Sequence, residues 1–200
     1  MPIITMSLLP VFMGWPLVLL PIHIVFIEFI IDPSCTLIFE GEPEEPNTMK
    51  QPPRKLGSPL FGRRLLFMSA ATGGIVSAAI FATHWLLISD GWSDDKARAI
   101  SFLMIVATNT MLILAISGSR VVRRAFSSGK LNALPAIVAI VSVVMIAIYT
   151  IPQLRGFFHI ALISWLEASS ALVLSAGIVW LVAPLRKLVA YAHRKNQKAG

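Results

Sequence analysis

The sequence predicts an all-α fold, a multi-span transmembrane helical bundle, on the strength of two observations. Apolar stretches of about 20 residues, the length that crosses a bilayer as a helix, recur along the whole chain. Between them charge is scarce: of 200 residues 56% are hydrophobic and 14% charged, and the mean hydropathy is +0.77. A soluble domain of this size carries about a quarter charged residues. The chain is therefore expected to be an integral membrane protein formed of one transmembrane domain over residues 1–200.

Taken in order, the elements begin with a partial span over residues 3–13, too short to cross alone. "MPIITMSLLP" has neither a basic region nor a small-residue cleavage site, so it does not read as a signal peptide. "GWP" at Gly14–Pro16 turns the chain into a span over 17–39, with a break expected at 32–33 where Asp32 meets Pro33. Full spans follow at 65–88, 97–116, 133–151 and 160–183, joined by short polar connections and by a longer loop over 40–64. No internal repeat is visible, which argues against a secondary transporter built on inverted repeats. Trp15, Trp85, Trp92 and Trp165 fall near span ends, as in an aromatic belt.

The charge distribution orients the chain. Fourteen of the 17 Lys and Arg lie on one side, in the 40–64 loop, the 117–132 connection and the C-terminal tail. Lys96, Arg98 and Arg155 lie on the other. Positive charge concentrates in cytoplasmic loops, so the tail and the 40–64 loop are expected in the cytoplasm, the membrane being a bacterial inner (plasma) membrane. The net charge of +7 is thereby explained by topology and calls for no nucleic acid; the lipid bilayer is the expected partner. Cys35, the single cysteine, excludes an internal disulfide and offers no metal-site spacing.

Two acids carry the functional expectation. Glu28 and Asp32 lie inside an apolar run, four residues apart, hence one turn from each other on a shared helix face. A charge at mid-span costs a few kcal/mol and marks an ion or proton pathway. Pro33 has no N–H, so the carbonyl of Phe29 loses its helical partner, and freed carbonyls of broken membrane helices coordinate cations. Carboxylates with carbonyl oxygens suit a hard cation, which makes Glu28 and Asp32 the candidate metal ligands. The competing reading puts Asp32 in headgroup water at the end of a short span; the apolar run "SCTLIF" that follows argues against it.

Asn109 is a further candidate cation ligand, with an interhelical hydrogen bond as its alternative role. Glu167, His23 and His84 read as structural or interfacial groups, and Gly73-Gly74 as a helix contact.

"GWPLVLLPIHIVFIEFIIDP" followed by "EEPNTMKQPPR" resembles the sixth transmembrane helix and the following cytoplasmic loop of P-type cation-transporting ATPases, the calcium-pump-like branch. "YTIPQLRGFFHIALISW" resembles the junction of that family's last two helices. The resemblance implies a partial fifth helix followed by the sixth to tenth. It implies Asp32 and Glu28 as cation ligands, with Glu28 where calcium pumps carry Asn and Ile31 where they carry Thr. It also implies that Met49, Pro52, Pro53 and Arg54 form a coupling contact with the phosphorylation domain. No D-K-T-G-T phosphorylation motif is present in these residues. The implied function is thus the ion-binding C-terminal transmembrane part of a pump that moves a cation once joined to catalytic cytoplasmic domains. No residue of this chain is catalytic, and ATP and Mg2+ are requirements of the full-length pump. The rival is a freestanding membrane scaffold or regulatory protein derived from a truncated pump.

An antibody against the tail "RKNQKAG" separates the two. The pump reading expects a native product several times larger than 21.8 kDa; a band only at that mass favours the scaffold.

Overall fold

The computed structural model describes residues 2–12, 14, 17–40, 63–116 and 133–198. Seven helices make up the described residues: α1 (Pro2–Phe12), α2 (Pro21–Glu40), α3 (Arg63–Ser89), α4 (Asp94–Ile116), α5 (Ala133–Thr150), α6 (Pro152–Phe158) and α7 (Trp165–Lys198). No strand occurs among them. The protein is an all-α transmembrane bundle. Three stretches of the described residues are long and apolar enough to cross a bilayer, Leu66–Ser89, Asp94–Ala115 and Trp165–Ala183. The α5 and α6 helices pass the same test only as a pair, bent by 93° at the break between them.

Local chemistry sets the helix ends. Gly14, at φ +69, accepts the left-handed turn after α1, and its N–H donates to the Val11 carbonyl at 3.2 Å. Pro21 occupies the first position of α2, where a missing N–H costs nothing. α3 ends on Gly91, at φ +81, whose N–H reaches the Ile88 carbonyl while that of Trp92 reaches Leu87. This crossed pair of bonds satisfies the last carbonyls of the helix. Asp94 and Asp95 then open α4, placing negative charge at the positive end of its dipole. α6 ends with the same crossed pair, His159 to Gly156 and Ile160 to Arg155, with His159 in the left-handed position at φ 49.

The break expected at Asp32-Pro33 is absent: α2 runs as one helix from Pro21 to Glu40. A proline withholds one N–H, and membrane helices absorb that loss by local adjustment of the backbone. The helix also starts later than the apolar run, at Pro21 instead of residue 17, because the proline ring fixes a first-turn conformation. Residues 160–164 are likewise not helical. They join the cap of α6 to the start of α7, a task hydropathy does not register.

α4 is the centre of the bundle. It packs against α7, α3 and α2, while α1 lies on α3 and α5 on α6. Of the spanning windows, 56% of the α4 window is buried against 28% for α3 and 22% for α7. Phe102, Met104 and Ile105 of α4 are fully buried, together with Val76 and Ile80 of α3. Lipid tails are as apolar as these side chains, so close packing and interhelical hydrogen bonds hold the helices together.

Phe102 is the largest fully buried side chain among the described residues, and its removal opens a void where α4 meets α2 and α6. Phe102→Ala is expected to destabilise the bundle by about 3 kcal/mol, measured as the unfolding midpoint in mixed micelles.

Candidate functional site

α2 carries the sequence-predicted acids and has two unlike faces. His23 and Ile27 are buried, and His23 and Phe26 lie against Phe102 of α4 with ring centroids 4.7 and 5.6 Å away. Glu28 is exposed, between the exposed Val25 and Phe29. Helical periodicity puts Glu28 well round the helix from His23, so it does not share the face of α2 that meets α4, the helix of Asn109. Asp32 sits one turn beyond Glu28 on the same helix; the side chains of Asp32 and Pro33 lie outside the described atoms. Met49, Pro52, Pro53 and Arg54 lie outside the described residues altogether.

Asn109 is half-buried on α4. Its neighbour Thr108 is fully buried, with its hydroxyl sealed and no hydrogen-bond partner among the described residues, while the Thr110 hydroxyl donates to the Val106 carbonyl at 2.8 Å. Among the described residues no three of His, Cys, Asp or Glu gather closely enough to hold a metal ion. The structure therefore shows Glu28 as an exposed acid on a helix flank that belongs to no such group of three among the described residues.

The densest polar construction lies elsewhere, at the end of the bundle that carries the α3–α4 turn. The first turns of α4 there are bonded to α3, α5 and α7 and to the connections before α2 and after α6. The Arg98 guanidinium, 8% exposed, donates to Asp95 Oδ1 at 2.7 Å, to the His159 carbonyl at 2.9 Å and to the Leu17 carbonyl at 3.4 Å. The Ala161 N–H donates to the Asp95 carbonyl at 3.2 Å. Tyr149 of α5 donates its hydroxyl to the Ala99 carbonyl at 2.6 Å. The Ser101 hydroxyl donates to the Ala97 carbonyl, so its contact at 2.9 Å with His84 of α3 is one in which His84 Nδ1 donates.

Lys96, over the ring of Trp92 at 4.4 Å, pairs with Glu167 Oε1 at 2.6 Å. Glu167 has a second task. Its Oε2 accepts the Ser164 N–H at 2.7 Å, and the Ser164 hydroxyl accepts the Glu167 N–H at 3.3 Å. This reciprocal box starts α7 at Trp165. Glu167 is thus a structural acid, held by a cap and an ion pair.

His23 plays the matching role at the start of α2. Its Nδ1 accepts the Leu20 N–H at 3.1 Å, the back-bond from the third helical residue to the cap. Its ring also lies 5.7 Å from that of Phe158. Neither Arg98 nor His23 stands out from sequence as a fixing point. The one visible signal was the acid three residues before Arg98, the spacing at which side chains meet on a helix.

Comparison with known proteins adds two findings. The family described as "Cation transporting ATPase, C-terminus" matches residues 16–189. The chain is also 25% identical over 219 residues to the endoplasmic reticulum calcium ATPase srcA of Aspergillus fumigatus, an alignment covering 92% of this chain and 22% of that protein. The chain thus spans about a fifth of the length of that relative.

Ser164→Ala and Glu167→Gln are each expected to cost about 1 kcal/mol in the same unfolding measurement. Glu167→Gln loses the Lys96 pair but keeps an oxygen for the Ser164 N–H, so its loss should add to that of Ser164→Ala. Glu167→Ala breaks the same box as Ser164→Ala, so that double variant should lose less than the two single losses added together.

Proposed function

The chain belongs to the cation-transporting ATPase C-terminal family, and from that premise we propose that it is the ion-binding C-terminal membrane part of such a pump. It moves a cation across the membrane when joined to the domains that bind and hydrolyse ATP with Mg2+. Glu28 and Asp32 supply carboxylate oxygens to the cation. The loop residues Met49, Pro52, Pro53 and Arg54 face the cytoplasmic phosphorylation domain, on the same side as the C-terminal tail, and couple its state to α2.

The observation that carries this reading is the exposure of Glu28. A carboxylate on the flank of a membrane helix, between exposed Val25 and Phe29, costs a few kcal/mol if it meets hydrocarbon. Further membrane helices against that flank remove the cost by turning it into the wall of a polar cavity. A pump supplies such helices, and the relative's greater length leaves room for them.

In the intact pump that ends in this chain, Asp32→Asn and Glu28→Gln should each lower the apparent cation affinity by at least about tenfold, equivalent to about 1.4 kcal/mol of lost ligation. Ion-stimulated ATPase activity checks this. Unchanged stimulation in the Asp32 variant sinks the proposal.

A further inference from the structure

We propose that Arg98 is the positioning residue that fixes α2 from the end carrying the α3–α4 turn, and so sets where Glu28 and Asp32 stand. This rests, for its bearing on transport, on the cation-site reading of those two acids. The structural part stands on contacts alone.

Arg98 reaches α2 by two routes. The direct one is its bond to the carbonyl of Leu17, in the connection that leads into Pro21 and the His23 cap. At 3.4 Å this is the longest of its three contacts, and alone it is a weak tether. The second route is stronger. Arg98 holds the carbonyl of His159 at 2.9 Å, and His159 sits in the left-handed cap that follows Phe158. Phe158 is buried and its ring meets those of its neighbour Phe157 and of three residues on other helices: His23 at 5.7 Å, Phe26 at 5.4 Å and Phe102 at 5.9 Å. Two of those rings belong to the first turns of α2. The guanidinium thus anchors both the strand of chain entering α2 and the aromatic wall against which α2 rests.

Its own position is fixed in turn. Asp95 neutralises it from the preceding turn of α4, the most buried span among the described residues. A guanidinium carries several donors in a rigid fork, so one side chain can hold acceptors on three segments at once. A lysine in its place keeps the charge opposite Asp95 without that fork.

Spin labels read the position of α2 directly. With Cys35→Ser as background, Val25→Cys on α2 and Leu86→Cys on α3, both exposed, give an electron–electron distance in the reconstituted chain. Arg98→Gln should shift that distance and broaden its distribution. Lys96→Gln, which breaks a bond between α4 and α7 at the same end of the bundle, should leave it unchanged. An unchanged distance in Arg98→Gln, or an equal change in Lys96→Gln, overturns the proposal.

Should Arg98→Gln fail to fold, Arg98→Lys replaces it. It must shift the distance too, and an unshifted distance is equally fatal. In the intact pump, Arg98→Lys should raise the cation concentration for half-maximal stimulation several-fold while turnover at saturation holds. A shifted helix with unaltered cation dependence overturns the link to the site. A wild-type pump without cation stimulation sinks the transport reading alone, and the distance comparison still decides the role of Arg98.

Discussion

A buried guanidinium is the constraint around which one end of this bundle is organised. Taking Arg98 out of water costs several kcal/mol, and that cost is offset only while its acceptors stay in place. Asp95 supplies the opposite charge, and the His159 and Leu17 carbonyls supply the remaining oxygens. Charge-assisted bonds of this kind are roughly twice as strong as neutral ones. The price of their absence is what makes them structural: a chain that let His159 or Leu17 drift would leave a charge buried without acceptors. The same turns of α4 take a bond from Tyr149, and a second from the N–H of Ala161. Helices that gain little from hydrophobic association in lipid are here held by polar contacts that lipid cannot replace.

The fold class was legible because the bilayer imposes a length. A helix must carry about 20 apolar residues to cross, and no other arrangement explains such runs at this charge density. Helix ends were less legible. Hydropathy joins 160–164 to the span that follows, although those residues make the link between the cap of α6 and the Ser164–Glu167 box. The serine and glutamate at that spacing are a capping signal, hidden here inside an apolar context. The proline after Asp32 was read as a break because it removes a hydrogen bond; α2 keeps its helical course through that position.

Of the candidate site, the chain displays one flank. The turn-end half of α2 is built into the bundle through His23, Phe26 and Ile27, while Glu28 is turned away from it. Sequence spacing could relate Glu28 to Asp32 because four residues make one turn. It could not relate either to Asn109, since which face of α2 meets α4 is decided by aromatic packing between distant segments. A division of labour follows from the proposed function. One face of α2 is committed to holding the helix still, and the other is left for ligands contributed from beyond the bundle seen here.

The clamp at Arg98 has a property that concerns inheritance more than energetics. Two of its three acceptors are main-chain carbonyls, groups that all twenty amino acids possess. Substitution at Leu17 or His159 alters the side chain and leaves the acceptor in place, so the loops can change in sequence while the joint they form persists. The joint depends on the identity of two side chains only, Arg98 and its acidic companion Asp95. Distant relatives could then share the same architecture at this end of the bundle while their loops show no common residues.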